Sequence, residues 1–219
     1  MLRGRIKKIL NEIKFSQEHA DELKDKFRWR YVQSVKPKFD SNLKGNFIKK
    51  RIYTFTSPKK NIKGVSAGYK YIVHIEEYEY DYFLISFFPK LPKGFFVKQQ
   101  ELASMGRKYY DEYSYLTKEN IPLKILTLLV SEMKNILSQK PYASFGYFGA
   151  PDYKLGEETD LFNTKRVRIY NQLLNDEFNQ THVVKSELEF SGGLVLNREV
   201  LLEYPEFEAY CRDILKSHL

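Results

Sequence analysis

The stretch from Tyr69 to Lys90, YKYIVHIEEYEYDYFLISFFPK, leaves this chain the least conformational freedom. Aromatic and β-branched residues fill both of its ends, and such side chains suit a pleated, half-buried surface. Acidic residues collect between the two runs, so the segment predicts a β-hairpin around an exposed acidic turn region, Glu76 to Asp81. His74 falls inside the first run, where a packed strand histidine is the expectation. Glu76, Glu77, Glu79 and Asp81 have no His or Cys beside them, and no metal site is expected there.

Helical periodicity supplies the elements that cover such a sheet. The segment LKILTLLVSEMKNILSQK places Ile125, Leu126, Leu129, Val130, Met133, Ile136 and Leu137 on one face. Pro122 suits its first turn, and Lys140-Pro141 stops it. YASFGYFGAPD, residues 142–152, predicts a buried strand. YKLGEETDLF is a polar insertion. NTKRVRIYNQLLNDEF predicts a second amphipathic helix, with Asn163 as N-cap and Val167, Ile169, Tyr170, Leu173 and Leu174 as its apolar set. HVVKSELEFSGGLVLNRE predicts a hairpin turning at Gly192-Gly193, followed by one or two short helices. Upstream, residues 1–33 carry a helical pattern whose other face bears the basic cluster Arg3, Arg5, Lys7 and Lys8. Phe47 to Phe55 predicts a strand, and TSPKKNIKGVSAG, with Lys59, Lys60 and Lys63, a loop. Residues 91–118 show no clear element. The whole predicts a mixed α/β (α+β) chain. Residues 1–68 would form an N-terminal helix and basic extension packed on a core of residues 69–219, the two making one compact domain.

The chain has 219 residues and a single cysteine, Cys211, so a disulfide-built scaffold is excluded. No run approaches the ~18 apolar residues of a membrane span, and no apolar stretch follows the basic N-terminus, so a cytoplasmic protein without membrane contact is expected. The net charge of +8 favours acidic partners, nucleic acid among them, and equally serves solubility. Seventeen tyrosines and sixteen phenylalanines build sheets and cores, and stack on bases where they are exposed. There is no Walker loop, dinucleotide glycine fingerprint, Cys/His metal spacing or Gly-x-Ser-x-Gly elbow.

The order hairpin, helix, strand, helix, hairpin over residues 69–200 resembles the C-terminal two thirds of a GNAT (GCN5-related N-acetyltransferase) domain. NTKRVRIYNQLLNDEF is similar to that family's N-x-x-A-x-x-L-Y-x-x-x-G-F in its Asn163, its Ile169-Tyr170 pair and its Phe178. The resemblance implies a mixed, mostly antiparallel central sheet flanked by helices. It also implies acetyl-CoA or another acyl-CoA as cofactor, with Asn163 on the pantetheine arm and Tyr170 protonating the leaving thiolate. Residues 142–148 would then be the fifth strand, splayed from its neighbour to admit the cofactor, which brings Phe145 and Tyr147 to the arm. Arg166 and Arg168 would meet phosphates. One of Glu76, Glu77 or Glu79 would deprotonate the attacking amine. A nucleic-acid-linked acceptor such as a charged tRNA would suit the basic surface.

Three features depart from that pattern. KENIPLKI stands where the family has its glycine-rich pyrophosphate loop, and Asn120 and Pro122 occupy the glycine positions. Arg166 replaces a small residue, and the insertion at 150–162 lengthens the link between strand and helix. A second reading therefore stands beside the first, a non-catalytic GNAT-fold module that binds nucleic acid or a protein partner. The pairing of ASFGY with NTKRVRIY also resembles uncharacterised bacterial proteins of the kind seen in Bacteroidetes.

Overall fold

The computed structural model describes residues 16–36, 47–56, 60–62, 65–67, 70–90, 122–148, 165–187 and 192–218. Helix α1 (Gln17–Lys26) is capped by Ser16, whose side chain accepts from the His19 N–H. It ends well short of residue 33. Arg28 takes a left-handed conformation with φ 51°, and the Trp29 N–H reaches back to the Lys24 carbonyl at 2.8 Å. That six-residue closure normally uses glycine, so no sequence signal marks it. The chain then leaves as strand β1 (Arg30–Val35), where the composition predicts only an aromatic turn closing the helical stretch, and pairs with β2 (Phe47–Thr56).

Strands β3 (Lys60–Ile62) and β4 (Val65–Ala67) form a small antiparallel pair inside the segment whose composition predicts a loop. The expected hairpin is present as β5 (Lys70–Tyr78) and β6 (Tyr82–Pro89). Its turn is only the 3₁₀ segment Glu79–Asp81. Glu76 and Glu77 are strand residues, 7% and 3% exposed, and so are not part of an exposed acidic turn. Helix α2 (Pro122–Gln139) begins at the proline and stops before Lys140, as its pattern predicts. Strand β7 (Ser144–Phe148), helix α3 (Lys165–Phe178), strands β8 (His182–Glu187) and β9 (Gly192–Asn197), and helices α4 (Arg198–Glu203) and α5 (Phe207–Lys216) complete the described chain.

Seven strands make one sheet in the order β1-β2-β5-β6-β7-β9-β8. The architecture is a mixed α+β fold, its sheet mostly antiparallel and flanked by helices. Strand alternation divides the side chains between two faces. On one face Phe55, Val73, Ile75, Phe83, Ile85, Phe145 and Val195 share a core with residues of α1, α2 and α3. On the other, Tyr78, Tyr82, Leu84, Leu194 and Leu196 pack against Val200 of α4 and Phe207, Cys211, Ile214 and Leu215 of α5. Asn197 caps α4 by accepting from the N–H groups of Glu199 and Val200.

Gly192 and Gly193 do not turn the last hairpin. They open β9, and their role is close packing. A Cβ on Gly193 would stand 2.5 Å from the Tyr147 hydroxyl and 2.7 Å from the Lys185 carbonyl. The basic cluster Arg3, Arg5, Lys7 and Lys8, the lysines Lys59 and Lys63, residues 91–118, Asn120 and the insertion at 150–162 lie outside the described residues.

Candidate functional site

Strands β6 and β7 make the sheet's one parallel pair among the described residues. Pairing runs from Tyr82↔Ser144 to Ile85↔Tyr147 and stops there. Beyond that point β6 continues through Pro89 paired, among the described residues, with β5, and Phe148, paired with Gly192 of β9, is the last described residue of β7. The described pairing of the two central strands therefore covers Tyr82–Ile85 and Ser144–Tyr147.

Tyr147 and Tyr170 sit at the end of this pairing on the face covered by α2 and α3. Their ring centroids are 6.5 Å apart, and both rings are buried. The Tyr147 hydroxyl donates to Asn171 Oδ1, and Asn171 Nδ2 donates to Ser186 Oγ, so α3 is tied to β7 and β8. Burial, and then the neighbouring Tyr170, push the Tyr147 phenol up, which makes it a neutral donor. Asn171 adjoins a residue singled out from sequence but had no signal of its own. Phe145 is fully buried against Phe83, at 5.9 Å between centroids, and serves the core. Arg166 and Arg168 fall in the opening turn of α3, with their side chains outside the described set, and Asn163 lies outside it altogether.

The three acidic candidates are not gathered around Tyr170. Glu76 lies on the opposite face, the one covered by α4 and α5. There it accepts from Tyr78 Oη at 2.9 Å and from His218 Nε2 at 2.8 Å, and it pairs with Lys50 Nζ at 2.7 Å. Burial raises the carboxyl's pKa, but the hydrogen bonds and charges of His218 and Lys50 outweigh it and hold the group down at about 2. Glu77 shares the Tyr170 face but is in register with Lys49 and Phe83, whereas Tyr147 is in register with Ile85 and Gly193. Its carboxylate meets Lys140 at 2.9 Å and Lys49 at 3.1 Å, and against the upward push of burial these cations lower its pKa. Glu79 is in the hairpin turn.

His74 behaves as the strand pattern predicts. It stands edge-on to Phe88 at 5.0 Å, and burial followed by the nearby Lys50 charge brings it down to about 4, so the ring is neutral. Tyr53 Oη donates to the buried Glu132 of α2 at 2.9 Å. Among the described residues no three His, Cys, Asp or Glu side chains are placed to hold a metal ion, and no helix is long and apolar enough to cross a membrane.

No protein-family model, no curated protein and no solved structure matches this chain.

Proposed function

We propose that this is a GNAT-like acyltransferase in which an acyl-CoA lays its pantetheine arm beyond the end of the β6–β7 pairing. One observation carries the reading: a parallel contact at the centre of a sheet that is otherwise antiparallel among the described residues, formed over Tyr82–Ile85 and Ser144–Tyr147. The amides of an extended arm would suit the backbone groups of β6 beyond Ile85. Coenzyme A would supply a thioester at that point. The amine nitrogen of the acceptor would bond to the acyl carbon, the carbon–sulfur bond would break, and Tyr170 would give its hydroxyl proton to the departing sulfur. Glu76 and Glu77 are weak bases, because their cations keep them ionised. Solvent would therefore take the proton of the amine. The phosphate grip would differ from the family pattern, since Pro122, the first residue of α2, has no N–H to donate.

Calorimetric titration with acetyl-CoA tests this. Saturable binding that is weakened in Asn163→Ala and kept in Tyr170→Phe, with turnover lost in the latter, is the expected result. Absence of heat at millimolar ligand refutes the proposal.

The ion pairing of Glu76 and Glu77 favours a second reading, a GNAT-like module that binds a partner without catalysis. Nucleic-acid binding with a steep salt dependence and no acetyl-CoA binding would support it.

A further inference from the structure

The hairpin turn between β5 and β6 holds two residues in the left-handed region, Tyr80 at φ 57° and Asp81 at φ 52°. A bulky aromatic side chain is rare there, and the conformation persists only where its surroundings fix it. Asp81 is fixed by Lys140 Nζ at 2.5 Å. Tyr80 is fixed by rings from the C-terminal helices: Tyr210 at 5.5 Å, Tyr204 at 5.6 Å and Phe207 at 6.2 Å between centroids. These contacts do not bury it. Tyr80 is 53% exposed and Tyr204 is 43% exposed, so two touching aromatic rings face water at the turn end of the sheet.

The charge around them is unusual for a protein of net charge +8. Glu203 borders Tyr204 and raises its pKa, and Glu79 acts likewise on the neighbouring Tyr210 after burial has raised it. Glu206 directly precedes Phe207 and is exposed. Other acids nearby are neutralised: Glu208 by Lys185 and Arg212, and Glu187 by Arg212. Glu79, Glu203 and Glu206 carry no ion pair among the described residues. An exposed aromatic pair with carboxylates adjoining it in the chain attracts cations twice, through ring faces and through charge.

We propose that the Tyr80–Tyr204 surface is a docking site for an arginine- or lysine-rich peptide segment of a partner protein. The site is separate from the end of the β6–β7 pairing, because Tyr80 precedes β6 and the described pairing ends at Ile85. Basic side chains would lie on the two rings while their charges meet Glu79, Glu203 and Glu206. Nucleic acid is disfavoured here, since the same carboxylates repel phosphate.

Fluorescence anisotropy with labelled nona-arginine tests the site, with labelled nona-glutamate as control. Saturable binding of the basic peptide alone, weakening as salt rises, is expected. Tyr80→Gly removes the ring where the backbone already suits glycine, and should weaken binding roughly three- to ten-fold. The triple variant Glu79→Gln, Glu203→Gln, Glu206→Gln should weaken it further and flatten the salt dependence. Absence of binding, or equal binding by all variants with unchanged circular dichroism, overturns the proposal. So does a doubled mass in sedimentation that Tyr80→Gly abolishes, which would assign the surface to a second copy of this chain.

Discussion

Replacing Glu76 with glutamine should cost this protein a substantial part of its stability, and the size follows from the geometry. The carboxylate receives Lys50, His218 and Tyr78 at 2.7–2.9 Å. Its own side chain is 9% exposed, while Lys50 and His218 are 27% and 19% exposed. A glutamine of the same shape has one acceptor oxygen, and its amide N–H would face donors. Removing one partner from a fully buried pair costs about 3–5 kcal/mol. The drop in the Glu76 pKa from 4.5 to about 2 corresponds to about 3 kcal/mol. Lys50 can recover part of its hydration, so about 2–3 kcal/mol is expected. The sign with pH is fixed as well. A depressed carboxyl pKa contributes stability that is fully present above pH 4.5 and is lost as pH falls toward 2. His218 is shifted the other way: burial lowers it, but the bond to Glu76 raises it above 6.5. Its contribution is complete below pH 6.5 and fades as pH rises through the folded value. The cluster is therefore strongest between the two ordinary pKa values. Urea unfolding of the wild type, Glu76→Gln, His218→Ala and the double variant at pH ~5.5 and pH ~3 measures both the total and the coupling. A loss under about 0.5 kcal/mol, with the same acid dependence as wild type, would show that water serves Lys50 and His218 equally well and would refute the reasoning.

Three further outcomes are expected. Gly146→Ala places a Cβ 2.1 Å from the Tyr82 hydroxyl in a fully buried site and should destabilise by about 1–3 kcal/mol, with partial rescue by Tyr82→Phe in a denaturant melt. Tyr82→Phe alone removes a buried hydroxyl with no partner among the described residues and should be neutral or raise stability by up to about 1 kcal/mol; a clear loss would reveal a bonded water at that position. Arg28→Gly relieves a left-handed residue at the end of α1 and should raise the thermal midpoint, by about 1 kcal/mol in free energy, whereas no gain would mean that the exposed arginine side chain holds the turn.

The sequence by itself determined the elements whose signals are local. The hairpin at 70–89 and the strand at 144–148 carry aromatic-rich runs, and the helix starting at Pro122 and the helix through Tyr170 carry a 3.6-residue period, each strong enough to be recognised without neighbours. Where a conformation depends on contacts distant in sequence, the local pattern misleads. RWRYVQ has the composition of an aromatic turn closing a helical stretch, and the turn is present at Arg28, yet pairing with β2 makes the rest of it a strand. Gly192-Gly193 has the composition of a turn, yet the carbonyl of Tyr147 beside Gly192 and its ring beside Gly193 require glycines in an extended chain. The same holds for the candidate residues. Tyr147 and Tyr170 share a face because of their positions on β7 and α3, which periodicity gives. Glu76 and Glu77 were indistinguishable as neighbours in an acidic stretch. Alternation sends them to opposite faces, and only the folded chain brings His218, from the far end of the sequence, onto one and Lys140 onto the other. Charge partners depend on position in space, and that is fixed by the packing of the whole sheet.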